Sequence, residues 1–233
     1  MALTEEYTGS NGTWGTEFSL TAHSTTLGTQ TTDGLYSPWV DLSAAVRGDQ
    51  YRLRGYETTV GGGTKRIFVD QGIPGWGLNT NEIFTIPPVM LMHGWDFTLQ
   101  RIAGADSTIE YGVRGVEGAV TEPFSGTDVI GVTEFFCASD STTKTKQTDD
   151  GLYQLWVDVN AMAKSDVFEI KAYDEVRDAA TTDRIVMTST LIGLRSNKIW
   201  TSPVLFLANG WEFSLKKGAG TDQSLPRSIR KVA

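Results

Sequence analysis

The chain has 233 residues with a formal net charge of −8, and 39% of its residues are hydrophobic. This length suits two domains of ordinary size, and the composition is that of a globular protein, which excludes wholesale disorder. The acidic balance argues against a general nucleic-acid binder, which needs a basic face for the phosphates, and no apolar stretch approaches the roughly 20 residues of a membrane span.

The most informative pattern in the sequence is an internal repeat. The segment TDGLYSPWVDL at 32–42 returns as DDGLYQLWVDV at 149–159, a displacement close to the length of one domain. A closing segment repeats as well, because HGWDF at 93–97 matches NGWEF at 209–213. Residues shared by both copies serve the fold, since both copies must fold. A site specific to one half therefore lies among the residues that only one copy has.

Both halves contain short segments with the period-two alternation of strands that have one face in a core. The predicted strands, given as pairs from the two copies, are 17–22 and 134–137, 51–56 and 167–173, 66–69 and 184–187, 95–99 and 211–215, and 113–116 and 229–232. Turn signals separate them. This density of strands predicts an all-β protein with two tandem homologous antiparallel β-sandwich domains, of jelly-roll-like type.

The repeat also sets the domain limits. We predict a first domain at 1–118, which begins with a loose polar arm, and a second domain at 119–233. The string EGAVTEPFSG at 117–126 is rich in turn residues and is predicted to join them.

One segment in each copy is less strand-like, at 41–49 and 158–166. Each follows a strand with a serine or an asparagine and then alanines, so Ser43 and Asn160 are predicted to cap a single helical turn. Such a turn can carry the chain from one sheet to the other.

The sequence contains no recognisable catalytic or metal-binding set. Four carboxylates recur in both copies, which favours a structural role over a glycosidase pair: Glu17 with Glu134, and Asp41 with Asp158. Cys137, the single cysteine, corresponds to Leu20 in the first copy, which predicts a buried and inert thiol. We expect no enzyme activity, no metal and no cofactor.

The tryptophans are the first candidates for ligand contacts. Four recur in both copies within alternating strands and are predicted to pack in the cores: Trp39 with Trp156, and Trp95 with Trp211. Trp76 lies in the loop GIPGWG at 72–77, which the second copy does not reproduce. It is either a plug for its own loop or a contact for a protein or carbohydrate partner.

The distribution of basic residues gives the other candidates. Residues 1–119 hold seven Lys and Arg against thirteen Asp and Glu, whereas residues 120–233 hold thirteen against fifteen. The basic end is either a solvated strand edge or a docking patch for an acidic partner. With Lys65 in the loop GGGTK at 61–65, which differs between the copies, the predicted partner contacts are Trp76, Lys65, Lys216, Lys217 and Arg227.

Two segments carry a resemblance to a known group of proteins. DGLYQLWVDV at 150–159 resembles a recurrent DGxYQxxVDLS module of tailed-bacteriophage structural proteins, as does the ending GWEFSLKKGAGT with SIRKV. The first copy departs from it at 110–114 and has Pro38 where the second has Leu155. The resemblance implies a virion accessory protein without enzyme activity, such as a head decoration (cement) protein or a head fibre.

The implied partners are the major capsid protein, further copies of this chain, or both, on the capsid exterior. Nucleic acid and membranes are not expected partners. The start MALTEE lacks the basic and apolar segments of a signal peptide, so we expect synthesis in the host cytoplasm. The alternative function is a carbohydrate- or receptor-binding β-sandwich module of a fibre or tail, with Trp76 as the platform for a glycan.

Overall fold

Alternating apolar and polar residues form the strands of a computed structural model, which describes residues 4–74, 83–118, 120–174, 184–193, 198–208 and 210–232. Within these ranges the regular structure is all strand, so no helix could cross a membrane. The chain divides into two compact units, Met1–Thr58 with Gly62–Val120 and Thr59–Gly61 with Thr121–Ala233. The predicted all-β architecture of two sandwich-like domains is confirmed.

The first domain contains nine of the described strands, in two sheets. They are β1 (Thr4–Asn11), β2 (Phe18–Ser19), β3 (Gly34–Asp41), β4 (Gln50–Glu57), β5 (Arg66–Pro74), β6 (Ile83–Thr85), β7 (Val89–Leu91), β8 (Asp96–Ala103) and β9 (Ile109–Glu117). One sheet has the order β1-β9-β3-β6, with β7 also paired to β3, and the other has the order β2-β8-β4-β5. We call the side of the β1-β9-β3-β6 sheet that faces away from the core its outer face.

The second domain repeats this arrangement. Its strands are β10 (Val120–Ile130), β11 (Phe135–Phe136), β12 (Gly151–Asp158), β13 (Val167–Asp174), β14 (Arg184–Ile192), β15 (Ile199–Thr201), β16 (Leu205–Leu207), β17 (Glu212–Ala219) and β18 (Gln223–Val232). The sheets are β10-β18-β12-β15, with β16 also paired to β12, and β11-β17-β13-β14. The sequence repeat is therefore a repeat of the topology, strand for strand.

Each core is built around the same pair of aromatic rings. Trp95 and Tyr36 have ring centroids 4.3 Å apart in the first domain, and Trp211 and Tyr153 are 4.1 Å apart in the second. All four side chains are fully buried. Aromatic side chains bury more apolar area than any others, so these pairs contribute strongly to each core. The prediction that Trp95 and Trp211 are core residues is correct.

The cysteine lies in the second core. Cys137 is 2% exposed and Leu20, its counterpart, is fully buried. Burial raises the pKa of the Cys137 thiol, which keeps it in the neutral, unreactive form.

Two segments for which the sequence predicted no strand are edge strands. The polar start of the chain forms β1, which pairs with β9, and the turn-rich string between the domains supplies most of β10. Each strand contributes one ring to its core: Tyr7 contacts Trp95 edge-on at 5.9 Å, and Phe124 contacts Trp211 edge-on at 6.1 Å. Both rings are half-buried, and the buried side chains of Val120 and Ile130 also attach β10 to its domain.

The predicted helical turns are wrong, and two successive turns occupy each segment instead. The Ser43 N–H donates to Asp41 Oδ1 at 2.8 Å, and the Asn160 N–H donates to Asp158 Oδ1 at 2.9 Å. The predicted caps are thus donors, and the preceding aspartates are the acceptors. An aspartate that binds the N–H two residues ahead forms a turn in place of the first turn of a helix.

A buried aspartate, absent from the sequence predictions, completes this connection. Asp49 is 1% exposed; its Oδ2 accepts the Val46 N–H at 2.8 Å and its Oδ1 accepts the Ala105 N–H at 3.0 Å. It thereby ties the β3–β4 connection to the turn between β8 and β9. Gly104 in that turn has φ +93°, and a Cβ there would lie 2.1 Å from Asp49 Oδ1. Only glycine fits this approach.

Asp166 performs the same function in the second domain. It is fully buried; its Oδ2 accepts the Ala163 N–H at 2.8 Å and its Oδ1 accepts the Thr221 N–H at 3.0 Å. Gly220, at φ +88°, occupies the place of Gly104. Hydrogen bonds from Thr221 and Ala163 hold the pKa of Asp166 below its usual value, because both favour the charged carboxylate.

We expect Asp49→Ala to lower the free energy of unfolding by about 2 to 3 kcal/mol, because it leaves two turn amides without acceptors. Urea denaturation followed by circular dichroism would measure this. Asp41→Ala is the matched control, since its turn lies at the surface, and should cost about 1 kcal/mol or less. Equal losses in the two variants would contradict the anchoring role of Asp49.

Asp166 should make stability depend on pH. A carboxyl whose pKa is lowered by folding stabilises the protein above the pKa of the unfolded chain, about 4. That contribution disappears as the pH falls through the lower folded-state pKa. The difference in melting temperature between the natural protein and Asp166→Asn should therefore shrink between about pH 6 and about pH 2. A difference that stays constant across this range would show that the folded-state pKa is not lowered.

Candidate functional site

The shared glutamates brace the sheets. Glu17 Oε1 accepts the Tyr56 hydroxyl at 2.7 Å and the Thr98 hydroxyl at 2.5 Å. Glu134 accepts the Tyr173 hydroxyl at 2.6 Å in the equivalent place. Burial, with Glu17 beside it, raises the pKa of Tyr56 to about 12, so the phenol keeps its proton and remains a donor. The same hydrogen-bonded arrangement in both domains indicates a structural role for both carboxylates.

Lys65, a predicted partner contact, is half-buried in its own domain. Its ammonium donates to the Gly28 carbonyl at 2.6 Å and to the Thr29 hydroxyl at 3.3 Å. Burial lowers its pKa, although Asp96 and Glu57 oppose this effect. The Lys65 charge therefore holds the loop before β3.

The two lysines of the basic end, Lys216 and Lys217, are only partly exposed to solvent. Lys217 forms an ion pair with Asp222 and its side chain is 14% exposed. Lys216 is half-exposed and lies opposite Glu169 on β13. Both side chains are therefore partly exposed. Trp76 lies outside the described residues.

Arg227 lies inside the second domain, at 2% exposure. Its guanidinium pairs with the carboxylates of Asp128 and Asp140, and its carbon lies 4.8 Å above the centre of the Phe135 ring. It also donates to the Cys137 carbonyl at 3.3 Å. The guanidinium has its hydrogen-bond and ion-pair partners within its own domain, so its observed role is to join β18, β10 and the turn after β11. We call Arg227, Asp128 and Asp140 together the Arg227 corner.

The first domain holds the same corner with a different pair. Tyr111 takes the place of Arg227, and His23 takes the place of Asp140; His23 Nδ1 and the Tyr111 hydroxyl are 2.7 Å apart. His23 and Asp140 have φ of +52° and +50°, which confirms their equivalence. A histidine–tyrosine contact in one copy is replaced by an arginine–aspartate ion pair in the other.

Trp39 does not have the core position predicted for it. Its side chain points to the outer face of the sheet and is half-buried. The Arg114 guanidinium stacks on it, 3.9 Å from the ring centroid. The second-domain pair, Arg230 on Trp156, has the same 3.9 Å separation and is fully buried. The predicted burial is therefore confirmed for Trp156, although it lies on the face opposite the core residues Leu155 and Val157, and it is wrong for Trp39.

A groove of about 450 Å³ lies beside Trp39 on this outer face. We call it the Trp39 groove; its walls include Trp39, Arg114, Glu5, Asp41 and Glu110, and Gly112 forms its floor. Gly112 lies between Thr8 of β1 and Trp39 of β3 in the strand register. A glycine here leaves the sheet backbone uncovered between two side chains, which produces the depression.

The second domain has larger side chains at two positions on the equivalent sheet face. Ser228 replaces Gly112 as the neighbour of the tryptophan, and Gln154 replaces Ser37. Both are buried, and Gln154 Oε1 accepts the Trp156 Nε1–H at 3.1 Å. A position-by-position comparison of the two copies could have pointed to this sheet face, because Gly112 and Ser37 differ from their counterparts in the second copy.

The second domain displays a different feature, a single exposed aromatic side chain. Phe206 on β16 is 85% exposed, the largest exposure among the described large hydrophobic residues. It is paired with Leu152, so both lie on the same face, and strand alternation from Arg230 places Val232 on that face too. We call these three residues the Phe206 patch. The first-domain equivalent of Phe206 is Met90, which is fully buried.

Comparisons with known proteins give weak structural matches and no sequence match. No protein-family model and no curated protein matches the sequence. Among solved structures the chain is similar to the N-terminal CBM22-1–CBM22-2 tandem domain of Xyn10C from Paenibacillus barcinonensis, with a TM-score of 0.27, 9% identity, and coverage of 96% of this chain and 86% of that one. It is also similar to the PBSX exported protein XepA, with a TM-score of 0.32, 10% identity, and coverage of 100% and 86%. TM-scores this low carry no argument about function.

Variants at the Arg227 corner should separate a structural role from a contact role. Asp128→Asn with Asp140→Asn leaves a buried guanidinium without anions, and should lower the free energy of unfolding by about 3 kcal/mol or more. Arg227→Met leaves two carboxylates that are 29% and 71% exposed, and should cost less. Urea denaturation would rank the variants, with Lys216→Met as a near-neutral surface control. The opposite ranking would contradict this account.

Proposed function

We propose that this chain is a non-enzymatic structural protein of a tailed-phage particle, a decoration or cement protein on the exterior of the head. Its proposed partner is the major capsid protein. The observation that supports this proposal most directly is the Phe206 patch, in which Phe206 is 85% exposed next to the half-buried Leu152 and Val232. The resemblance of residues 150–159 to phage structural modules supports the same class of protein.

The Phe206 patch has the properties of a protein contact. Phe206 is 85% exposed, so a partner that covers it removes apolar surface from water. This burial contributes roughly 2 kcal/mol to the free energy of binding. Aromatic residues surrounded by smaller apolar neighbours are frequent centres of binding energy. The shell of a particle presents many identical sites for such a contact.

The two-domain organisation fits this role. Turns held by buried carboxylates leave less of the backbone free for cleavage, so we expect these domains to resist proteolysis. Two domains on one chain also raise the effective concentration of a second contact once the first is made. The shared carboxylates Glu17, Glu134, Asp41 and Asp158 all have partners in their own domain, which favours a scaffold over a hydrolase.

The first test is the number of copies in purified particles, measured by quantitative mass spectrometry against the major shell protein. A decoration protein should approach the number of shell subunits or a simple fraction of it. A few copies would place the protein at a vertex, fibre or tail instead. Absence from particles would overturn the proposal.

The contact surface can be tested with rebinding to particles that lack this protein. Phe206→Ser should abolish or strongly reduce binding while the melting temperature stays unchanged, because the side chain is already in water. Val132→Ser, at a residue that is 67% exposed in the same domain, is the matched control and should bind normally. Full binding by Phe206→Ser would exclude the Phe206 patch. Charge reversal of Lys216 and Lys217 tests the basic end separately; unchanged binding would remove it from the contact.

A further inference from the structure

We propose that the Trp39 groove is a binding site for short, uncharged saccharides. This inference does not depend on attachment to a particle, since the groove is on the first domain and the Phe206 patch is on the second. Its volume of about 450 Å³ lies within the usual range of small-molecule sites, about 300 to 1,000 Å³. The ligand class follows from the side chains that line it.

Trp39 supplies the apolar wall. Its indole is half-buried and its orientation is fixed by Arg114, which stacks at 3.9 Å, while Glu5 Oε1 holds the Arg114 Nε at 3.4 Å. A ring held in place in this way loses little conformational freedom when a ligand packs against it. An indole pairs well with the apolar C–H face of a sugar ring, which also carries polar groups at its edge.

Polar groups surround this wall on the other strands. Asp41 and Glu110 offer carboxylate oxygens, Thr8 and Ser10 offer hydroxyls, and Arg114 offers N–H donors. Carboxylates accept strong hydrogen bonds from hydroxyl groups, and a guanidinium donates to hydroxyl and ring oxygens. A polyhydroxylated ligand satisfies both kinds of group at once.

The charges in the groove favour an uncharged ligand. Three carboxylates, from Glu5, Asp41 and Glu110, surround one guanidinium, from Arg114. An acidic sugar would place its carboxylate in a groove lined by three others, and like charges in one groove repel each other. A cationic ligand would meet Arg114 at the face of Trp39, where the aromatic ring already has its cation.

A substitution at Gly112 can test the site, because the second domain shows which residue the equivalent position accepts. A Cβ at Gly112 would lie 2.9 Å from Glu5 Oε1, the far end of a flexible side chain that can move aside. The second domain has Ser228 at the equivalent position of β18, so serine is compatible with this place in the sheet. Gly112→Ser should therefore fill the floor of the groove and leave the fold intact.

The experiment is an array of oligosaccharides probed with the full chain, followed by calorimetry on the strongest ligand. The array holds neutral glucan, galactan, mannan and chitin fragments, acidic oligogalacturonates and cationic chitosan fragments. We expect binding to at least one neutral series. Trp39→Ala and Gly112→Ser should weaken it about tenfold or more, with melting temperatures close to that of the natural protein. Phe206→Ser is the matched control, an exposed aromatic in the other domain, and should bind as the natural protein does.

Three results would overturn the inference. They are binding to no neutral series, binding to charged sugars alone, and affinity that survives both groove variants. Because rebinding to particles is measured with Phe206→Ser and sugar binding with Gly112→Ser, either proposal can fail while the other stands.

Discussion

Both domains depend on buried carboxylates that bind the backbone N–H groups of their turns. A β-sandwich leaves the amides of its connections without strand partners, and each buried one costs about 1 to 3 kcal/mol if it stays unsatisfied. Asp49 and Asp166 supply acceptors at one connection of each domain. Asp96 and Glu212, at the starts of β8 and β17, do so at another: Asp96 binds one backbone N–H at 2.7 Å and Glu212 binds three. Burial raises the pKa of these last two, against the effect of their hydrogen bonds.

This constraint determines where the two copies are free to differ. The carboxylates that hold turns and the aromatic pairs of the cores occupy the same positions in both domains. Residues on the outer faces of the sheets neither hold turns nor fill the cores, and the two copies differ there. Trp39 lines an open groove and Trp156 is fully buried, while Phe206 is exposed and Met90 is not. The proposed contacts of this protein follow from those differences.

Much of the architecture could be predicted from the sequence because alternation and repetition report directly on strands and domains. The strands β4, β8, β13 and β17 and the core positions of Trp95 and Trp211 follow from those patterns. Edge strands β1 and β10 were missed, since most of their side chains are exposed or only half-buried and give no clear alternation of apolar and polar residues. The same limit applies to Trp39: alternation places it on a face but does not say whether that face is covered.

The predicted partner contacts stay predictions, and the sequence did not show that Lys65, Lys217 and Arg227 also have partners within their own domains. A lysine or arginine near the end of a chain is as consistent with a buried ion pair as with a docking patch. Composition cannot distinguish the two, because the anions Asp128 and Asp140 lie about one domain length earlier in the sequence than Arg227. Such long-range pairs become visible only when the strands are placed side by side.

The exchange of a histidine–tyrosine pair for an ion pair at the Arg227 corner limits how segments of the two copies can be exchanged. If recombination joined the start of the first copy to the end of the second, His23 would stand in the place of Asp140 beside Arg227. The buried guanidinium would lose one of its carboxylates, and we expect the hybrid domain to be less stable. Selection against such hybrids would keep the two domains distinct in sequence while they remain the same in fold.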